Sequence, residues 1–392
     1  MSVDATNRGA RRFGDRDSQC VPPGFNCSIK RAYGPSAAGS VTMPRQPPIV
    51  LLAAVVLLAA PLAHGEKLYV ANNGVDSTFL PCPPGSCVSK ESPCRSITCA
   101  IRSAAPGDTI VVGPGRYGDL NNSGALGDTA GEEIPGPGCG CMLLMDKAVS
   151  LTSSDGAGAT LIDALRVGDA NGGAAIVIYT NGGEFGRVGK GFTVTNTAYD
   201  DGKGIVVDSQ NVAIRGNQLV AVNGATNAGI GIDTVDFPET ITIEGNQLIG
   251  WSTAIRARGD GKLVRSNELS LNSVGISISG SSRAEGNVIV GSAYGAEPKN
   301  TAAIVGNAFY GGRVVVNAQP GFAGVIQRNN FIGSRDDCAL TNLSNTDGLV
   351  VTNDYWGAAT GPGPDPADNF CDFLGTSRVV PFAPKPFSVK AA

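Results

Sequence analysis

The chain has 392 residues, of which 16% are charged, and a formal net charge of −4 at pH 7. That acidic balance removes the case for nucleic-acid binding, which needs a basic face. The single histidine, His64, lies in a segment expected to be cleaved off, which excludes a Ser-His-Asp hydrolase, a histidine general base and a histidine-ligated metal from the mature protein.

Residues 1–42 are polar and unpatterned. The segment "MPRQPPIVLLAAVVLLAAPLAHG" (43–65) follows them. Its arginine, its apolar run from Ile49 to Leu62 and its small-x-small triplet Ala63-His64-Gly65 describe a secretory signal peptide. The run is too short for a comfortable membrane span. Signals stand at the N-terminus, so residues 1–42 are expected to be a gene-model extension or a disordered segment, with the exported chain beginning near Glu66. Cysteine use fits export. Cys82, Cys87, Cys94, Cys99, Cys139, Cys141, Cys338 and Cys371 lie beyond the signal, an even set that argues for disulfides outside the cytosol. A Cys338–Cys371 bridge is the easiest pairing to expect, because it would clip the Pro-rich tail onto a late repeat.

Residues 66–109 read as an opening segment that ends in a cap. In "SPCRSITCAIRSAAPGDT" (92–109), Ser92 or Ser96 suits an N-cap. Ile97, Ala100, Ile101 and Ala104 share one face, and Pro106-Gly107 is a stop. A short helix covering the N-terminal end is expected there. The stretch "NNSGALGDTAGEEIPGPGCGC" (121–141) reads as a long loop protruding from an early repeat.

Residues 110–355 carry the main signal. An asparagine, often after Gly or Ser, with an apolar residue two places later recurs at Asn196, Asn217, Asn246, Asn267, Asn287, Asn307, Asn330 and Asn353, at intervals of 20 to 29 residues. A period of this size indicates a solenoid. Between the asparagines stand short alternating runs rich in Ile and Val: "GIVVD" (204–208), "GIGID" (229–233), "AIRAR" (254–258) and "GISIS" (275–279). That is strand chemistry, and two or three such strands per repeat describe the rung of a parallel β-helix. The asparagines are expected to sit in left-handed turns, which Asn tolerates, and to stack through their side-chain amides. Leu219, Leu248, Leu269, Ile289, Phe309 and Ile332 are expected to point inward. The tail, 356–392, is rich in Pro and Gly and is expected to cover the far end, where "GPGPDP" forbids further regular strand.

These features together resemble the pectin-lyase-like superfamily of right-handed parallel β-helices. The opening "LYVANNGVDS…SPCRSITCAIRSAAPGDTIVVGPGRYGD" (68–119) and the closing "NDYWGAATGPGPDPADN" (353–369) resemble segments common in secreted members. The resemblance implies an all-β, right-handed parallel β-helix solenoid with a short N-terminal capping helix. It leaves function open, because the fold hosts lyases, glycosidases, esterases, epimerases and non-catalytic proteins.

A β-helix makes sites by stacking outward residues into columns. Aligning rungs on Ile205, Ile230, Ile255 and Ile276 places Asp208, Asp233, Arg258 and Ser279 in one outward column, with Tyr179 at its head and Arg256 beside it. Polysaccharide lyases of the resembled superfamily typically hold Ca²⁺ with acidic residues and use Lys or Arg as the base. On that pattern Asp208, Asp233 and Asp201 would hold Ca²⁺. Asp208, Asp233, Arg256 and Arg258 are the candidate catalytic residues. Tyr179, Lys203 and Trp251 are the candidate substrate contacts, with Trp251 offering a ring on which a sugar could stack. The expectation is a secreted (extracellular or periplasmic) monomer that binds or cleaves polysaccharide or a cell-surface glycan, with a Ca²⁺-dependent lyase on uronate chains as the enzyme reading. The alternatives are a non-catalytic carbohydrate-binding, surface or adhesive solenoid, or a solvated salt-bridge ladder with no site.

Overall fold

The computed structural model describes residues 65–76, 82, 85–164, 173–195, 202–221, 229–236, 238–335, 338–364 and 366–391. Nearly every strand has its hydrogen-bonding partner one repeat away, and all the pairings between named strands are parallel. Three sheets result. Sheet I has 12 strands, from Lys67–Val70 to Ser377–Arg378. Sheet II has 9, from Gly115–Gly118 to Asn330–Ile332. Sheet III has 10, from Leu143–Met145 to Phe370–Asp372. The chain visits them in the order I, II, III in each repeat, so the protein is a parallel β-helix.

Period-two alternation builds it. In Val212–Arg215, Ile241–Glu244 and Lys262–Arg265, alternate residues are buried, and the inward set forms one continuous core along the helix axis. An aromatic series closes the C-terminal end: Phe309 packs on Phe331, Phe331 on Trp356 and Trp356 on Phe370, with ring centroids 4.8–6.1 Å apart.

The asparagine repeat is a buried ladder at the turn between sheets I and II. Asn217, Asn246, Asn267, Asn287, Asn307 and Asn329 are each at most 2% exposed. Each Nδ2 donates to the Oδ1 of the next member and to a main-chain carbonyl of the preceding rung; each Oδ1 from Asn246 onward also accepts the preceding member's main-chain N–H. The amides thereby satisfy the main-chain groups of a buried turn as well as their own. The left-handed backbone falls one residue earlier than expected, on Gly216, Gly245, Ser266, Gly286, Gly306, Arg328 and Asn353. That explains the Gly or Ser so often found before the asparagine. The last two members correct the sequence alignment by one position. Asn329, not Asn330, receives Asn307, and Asp354, not Asn353, ends the ladder. Phe331 is accordingly buried, and Ile332 points outward. At the other end Phe192 occupies the position preceding Asn217, with its N–H donated to the Asn217 Oδ1; Asn196 lies outside the described residues.

One helix, Ile97–Ser103, begins at the N-cap Ser96, whose hydroxyl accepts the Cys99 N–H. Its buried face includes Ile97, Ala100 and Ile101. The helix touches the first strands of sheets I and III. The 121–141 loop does not simply protrude. It folds back so that Glu133, fully buried, accepts the Ile97 and Thr98 N–H groups and the Thr98 hydroxyl. Four disulfides join Cys82–Cys99, Cys87–Cys94, Cys139–Cys141 and Cys338–Cys371; the last is the expected one. Contrary to the expectation of no further strand, the tail adds two short ones once past the Pro-rich stretch, Phe370–Asp372 on sheet III and Ser377–Arg378 on sheet I. Among the described residues no helix is long and apolar enough to cross a membrane.

Candidate functional site

The outward face of sheet III carries most of the candidate residues, but in a different register. Ile205 pairs with Ile232, Ile232 with Ile255, and Ile255 with Ile276. Ile230 instead pairs with Lys203 and Thr253. The strand "IGIDT" is thus displaced by two residues from the sequence alignment. A two-residue slip keeps every side chain on its own face, so alternation cannot distinguish the two registers. A second column could have done so. Gly204, Gly231, Ala254, Gly275 and Gly295 stack as the small residue before the inward position. A Cβ at Gly231 would lie 2.6 Å from Leu248 Cδ2 and 3.3 Å from Trp251 Cδ2, so this column must stay small.

The correction separates the two aspartates. Asp233 stands beside Val206 and Arg256, whereas Asp208 follows its strand at the next outward position. Asp233 is 1% exposed because cations cover it. Arg256 binds it with two parallel contacts, Nε to Oδ1 at 2.9 Å and Nη2 to Oδ2 at 2.7 Å. Arg258 Nη2 reaches Oδ1 at 3.4 Å and donates through Nε to the Thr234 carbonyl. Lys203 Nζ lies 3.3 Å from Oδ2. Burial acts to raise the Asp233 pKa, but the Arg256 hydrogen bonds and the charges of Arg256, Arg258 and Lys203 outweigh it and hold the carboxyl below the usual range. Reciprocally, the Asp233 hydrogen bond raises the Arg256 pKa against the effect of burial. The three cations keep 29–40% of their side chains exposed. One carboxylate therefore anchors three positive groups whose outer surfaces face solvent, a local excess of positive charge on an acidic protein.

This arrangement does not fit a calcium ion. Both Asp233 oxygens are engaged by cations, Asp208 is in another column, and Asp201 lies outside the described residues. Among the described residues the one cluster of three potential metal ligands is Cys87, Cys94 and Cys99, whose sulfurs are in disulfides. Trp251 is also corrected. It is 0% exposed, and its Nε1 donates to the Leu219 carbonyl, so it is a core residue with no face for a sugar.

Tyr179 and Asp208 do meet as expected. The Asp208 N–H donates to the Ile178 carbonyl, which places the two residues side by side on adjacent rungs. They line a cleft of about 320 Å³ at the turn from sheet III to sheet I, together with Ser209, Gln210 and Glu239. Glu239 comes from "DFPET" (236–240), in the stretch between Ile232 and Ile243 that is two residues longer than its counterpart in the next repeat. A larger groove, about 550 Å³, lies on sheet I over Glu244, Arg265, Arg283 and Glu285. Its carboxylates are paired with its arginines, so ion pairs stand on sheet I as well as in the Asp233 cluster of sheet III.

No protein-family profile matches the chain, and no characterised protein sequence matches it. Three solved structures are similar to it. The pectate lyase Pel9A is 14% identical with a TM-score of 0.42, covering 82% of this chain and 79% of that one. A rhamnogalacturonan lyase is 11% identical with a TM-score of 0.45, covering 81% and 87%. A double-mutant tailspike protein of E. coli bacteriophage HK620, in complex with a pentasaccharide, is 13% identical with a TM-score of 0.43, covering 80% and 63%. At these identities the likeness is one of fold.

Proposed function

We propose that this chain is a secreted β-helix protein that binds an acidic polysaccharide along sheet III, with Arg256 and Arg258 as receptors for its carboxylate groups. The cation cluster on Asp233 carries the reading. A buried carboxylate fixes the guanidinium groups in place, and their exposed edges retain donors suited to a planar carboxylate. A solenoid face presents such groups along a line, which suits a linear polymer. Four disulfides fit an oxidising compartment. The bidentate bond to Asp233 keeps Arg256 charged, which suits binding and charge neutralisation and opposes its use as a base. If the chain cleaves its ligand by β-elimination, Lys203 is the group on this face to take the C5 proton α to the uronate carboxylate as the C4–O glycosidic bond breaks. It makes one 3.3 Å contact with Asp233 where Arg256 makes two shorter ones, and an ammonium gives up its proton far more readily than a guanidinium. No step requires calcium.

The test is incubation with polygalacturonate, alginate and rhamnogalacturonan, with added Ca²⁺ and with EDTA, read as the absorbance of 4,5-unsaturated product. Product that forms in EDTA and is lost in Lys203→Met supports a calcium-independent lyase. Retention of these polymers without product supports a binding protein. The absence of both retention and product sinks the proposal.

A further inference from the structure

The cleft beside the cation cluster has a different chemistry, which the proposed binding of acidic groups does not use. Its opening carries the Tyr179 ring, 63% exposed. Asp208 and Glu239 line the same space; among the described residues neither carboxylate has a hydrogen-bond partner, and the Glu239 charge acts on Lys262, whose Nζ donates to the Glu239 main-chain carbonyl. The Ser209 hydroxyl in the wall is buried and likewise without a partner. A buried hydroxyl left unpaired is costly, so an orphan of this kind in a cleft wall marks a place where a ligand or water completes the bonding. Gln210 adds an exposed amide.

This combination selects a ligand class. Two carboxylates accept hydrogen bonds strongly and repel anions. They therefore match a molecule rich in hydroxyl donors and without negative charge. An exposed aromatic face offers apolar contact to the C–H face of a ring. The volume, about 320 Å³, lies at the small end of ligand sites and accommodates one sugar ring rather than an extended chain. Asp208 and Arg258 occupy equivalent outward positions two rungs apart, about 10 Å at the usual strand spacing. The cleft therefore lies along the same line as the cation cluster.

We infer that the Tyr179–Asp208–Glu239 cleft is a subsite for an uncharged pyranose, so that the polysaccharide read by this protein contains neutral residues as well as acidic ones. The inference rests on the reading of sheet III as a polysaccharide-binding face. It explains why an aromatic ring stands exposed beside two carboxylates that make no hydrogen bond among the described residues.

Saturation-transfer NMR on the exported chain tests it, using methyl glucoside, methyl galactoside, methyl rhamnoside and galacturonate as separate probes. The expected result is transfer to at least one neutral glycoside. Binding should be weakened roughly three- to tenfold by Tyr179→Ala, weakened also by Asp208→Asn, and unchanged in Arg283→Gln on sheet I. Tyr179→Phe should bind nearly as wild type, because it keeps the ring. Transfer to none of the neutral glycosides overturns the inference. So does transfer that ignores both Tyr179→Ala and Asp208→Asn, or a calcium-induced melting shift that requires Asp208 without any sugar transfer. Retention on polygalacturonate, measured alongside, keeps the two readings apart. Loss of retention with intact neutral-sugar transfer removes the acidic-polymer proposal and leaves the subsite; the reverse removes the subsite alone.

Discussion

Asp354 stands where the ladder would hold another asparagine. Its Oδ1 accepts both the N–H and the Nδ2 of Asn329, while its Oδ2 is buried without a partner. Burial pushes its carboxyl up to about 7, against the smaller effect of the Asn329 hydrogen bonds. The folded chain thus holds this proton to about pH 7, whereas the unfolded chain releases it near 3.8. Stability from this group is therefore greatest below the unfolded value, falls as pH rises between the two, and is level above pH 7, a difference of at most about 4 kcal/mol. Asp354→Asn should remove that slope. Its Nδ2 would point at the Ile326 carbonyl by the ladder's own pattern. The variant's melting temperature should match wild type at pH 4 and exceed it increasingly up to pH 7. A constant difference across that range would contradict the assignment. Asp233 behaves oppositely, since its depressed pKa stabilises the fold above the unfolded value of about 3.9 and that contribution is lost as pH falls through the folded one. Because three cations depend on it, Asp233→Asn should lower stability by about 1–3 kcal/mol at pH 7, measurable by urea denaturation. An effect below about 0.5 kcal/mol would return Asp233 to the status of an ordinary surface charge.

The ladder and the strand register hold the elements together. Asn267→Ala removes a side chain that gives two hydrogen bonds and accepts two, leaving buried main-chain and amide groups unpaired. The expected loss is about 3 kcal/mol or more, and Asn267→Asp should not restore it, because a carboxylate lacks the donor. The Cys338–Cys371 bridge closes a loop with a sequence separation of 33. Removing it with Cys338→Ser/Cys371→Ser should cost about 4 kcal/mol in the chain-entropy account and free the tail strands to limited proteolysis first. The sequence made the three-strand rung, the ladder and this disulfide legible, because a repeated backbone geometry repeats its residue requirements. It misplaced other features for physical reasons. Asn329-Asn330 and Asn353-Asp354 each offer two side chains able to fill the ladder position, and only the inward Phe331 and Trp356 decide between them. Ile230 and Ile232 are interchangeable by alternation alone. Trp251 reads as a surface ring in a turn, but the small residue at Gly231 makes room for it inside.

Across the whole molecule, charge is sorted by sheet. Sheet I neutralises its own charge through Arg215, Glu184, Glu244 and Arg265, whereas sheet III gathers three cations on one carboxylate and leaves them partly open to solvent. This asymmetry could not be read from composition, since it depends on which rung faces which. The most direct measurement is affinity electrophoresis of the wild-type chain and an Arg256→Gln/Arg258→Gln variant through gels containing polygalacturonate or neutral dextran, at low and at high salt. Wild type should be retarded by polygalacturonate, and the retardation should weaken with salt and disappear in the variant. Equal retardation of the two proteins by polygalacturonate, each relative to its own mobility in dextran and with both folded by circular dichroism, would contradict the assignment of this face to an acidic polysaccharide.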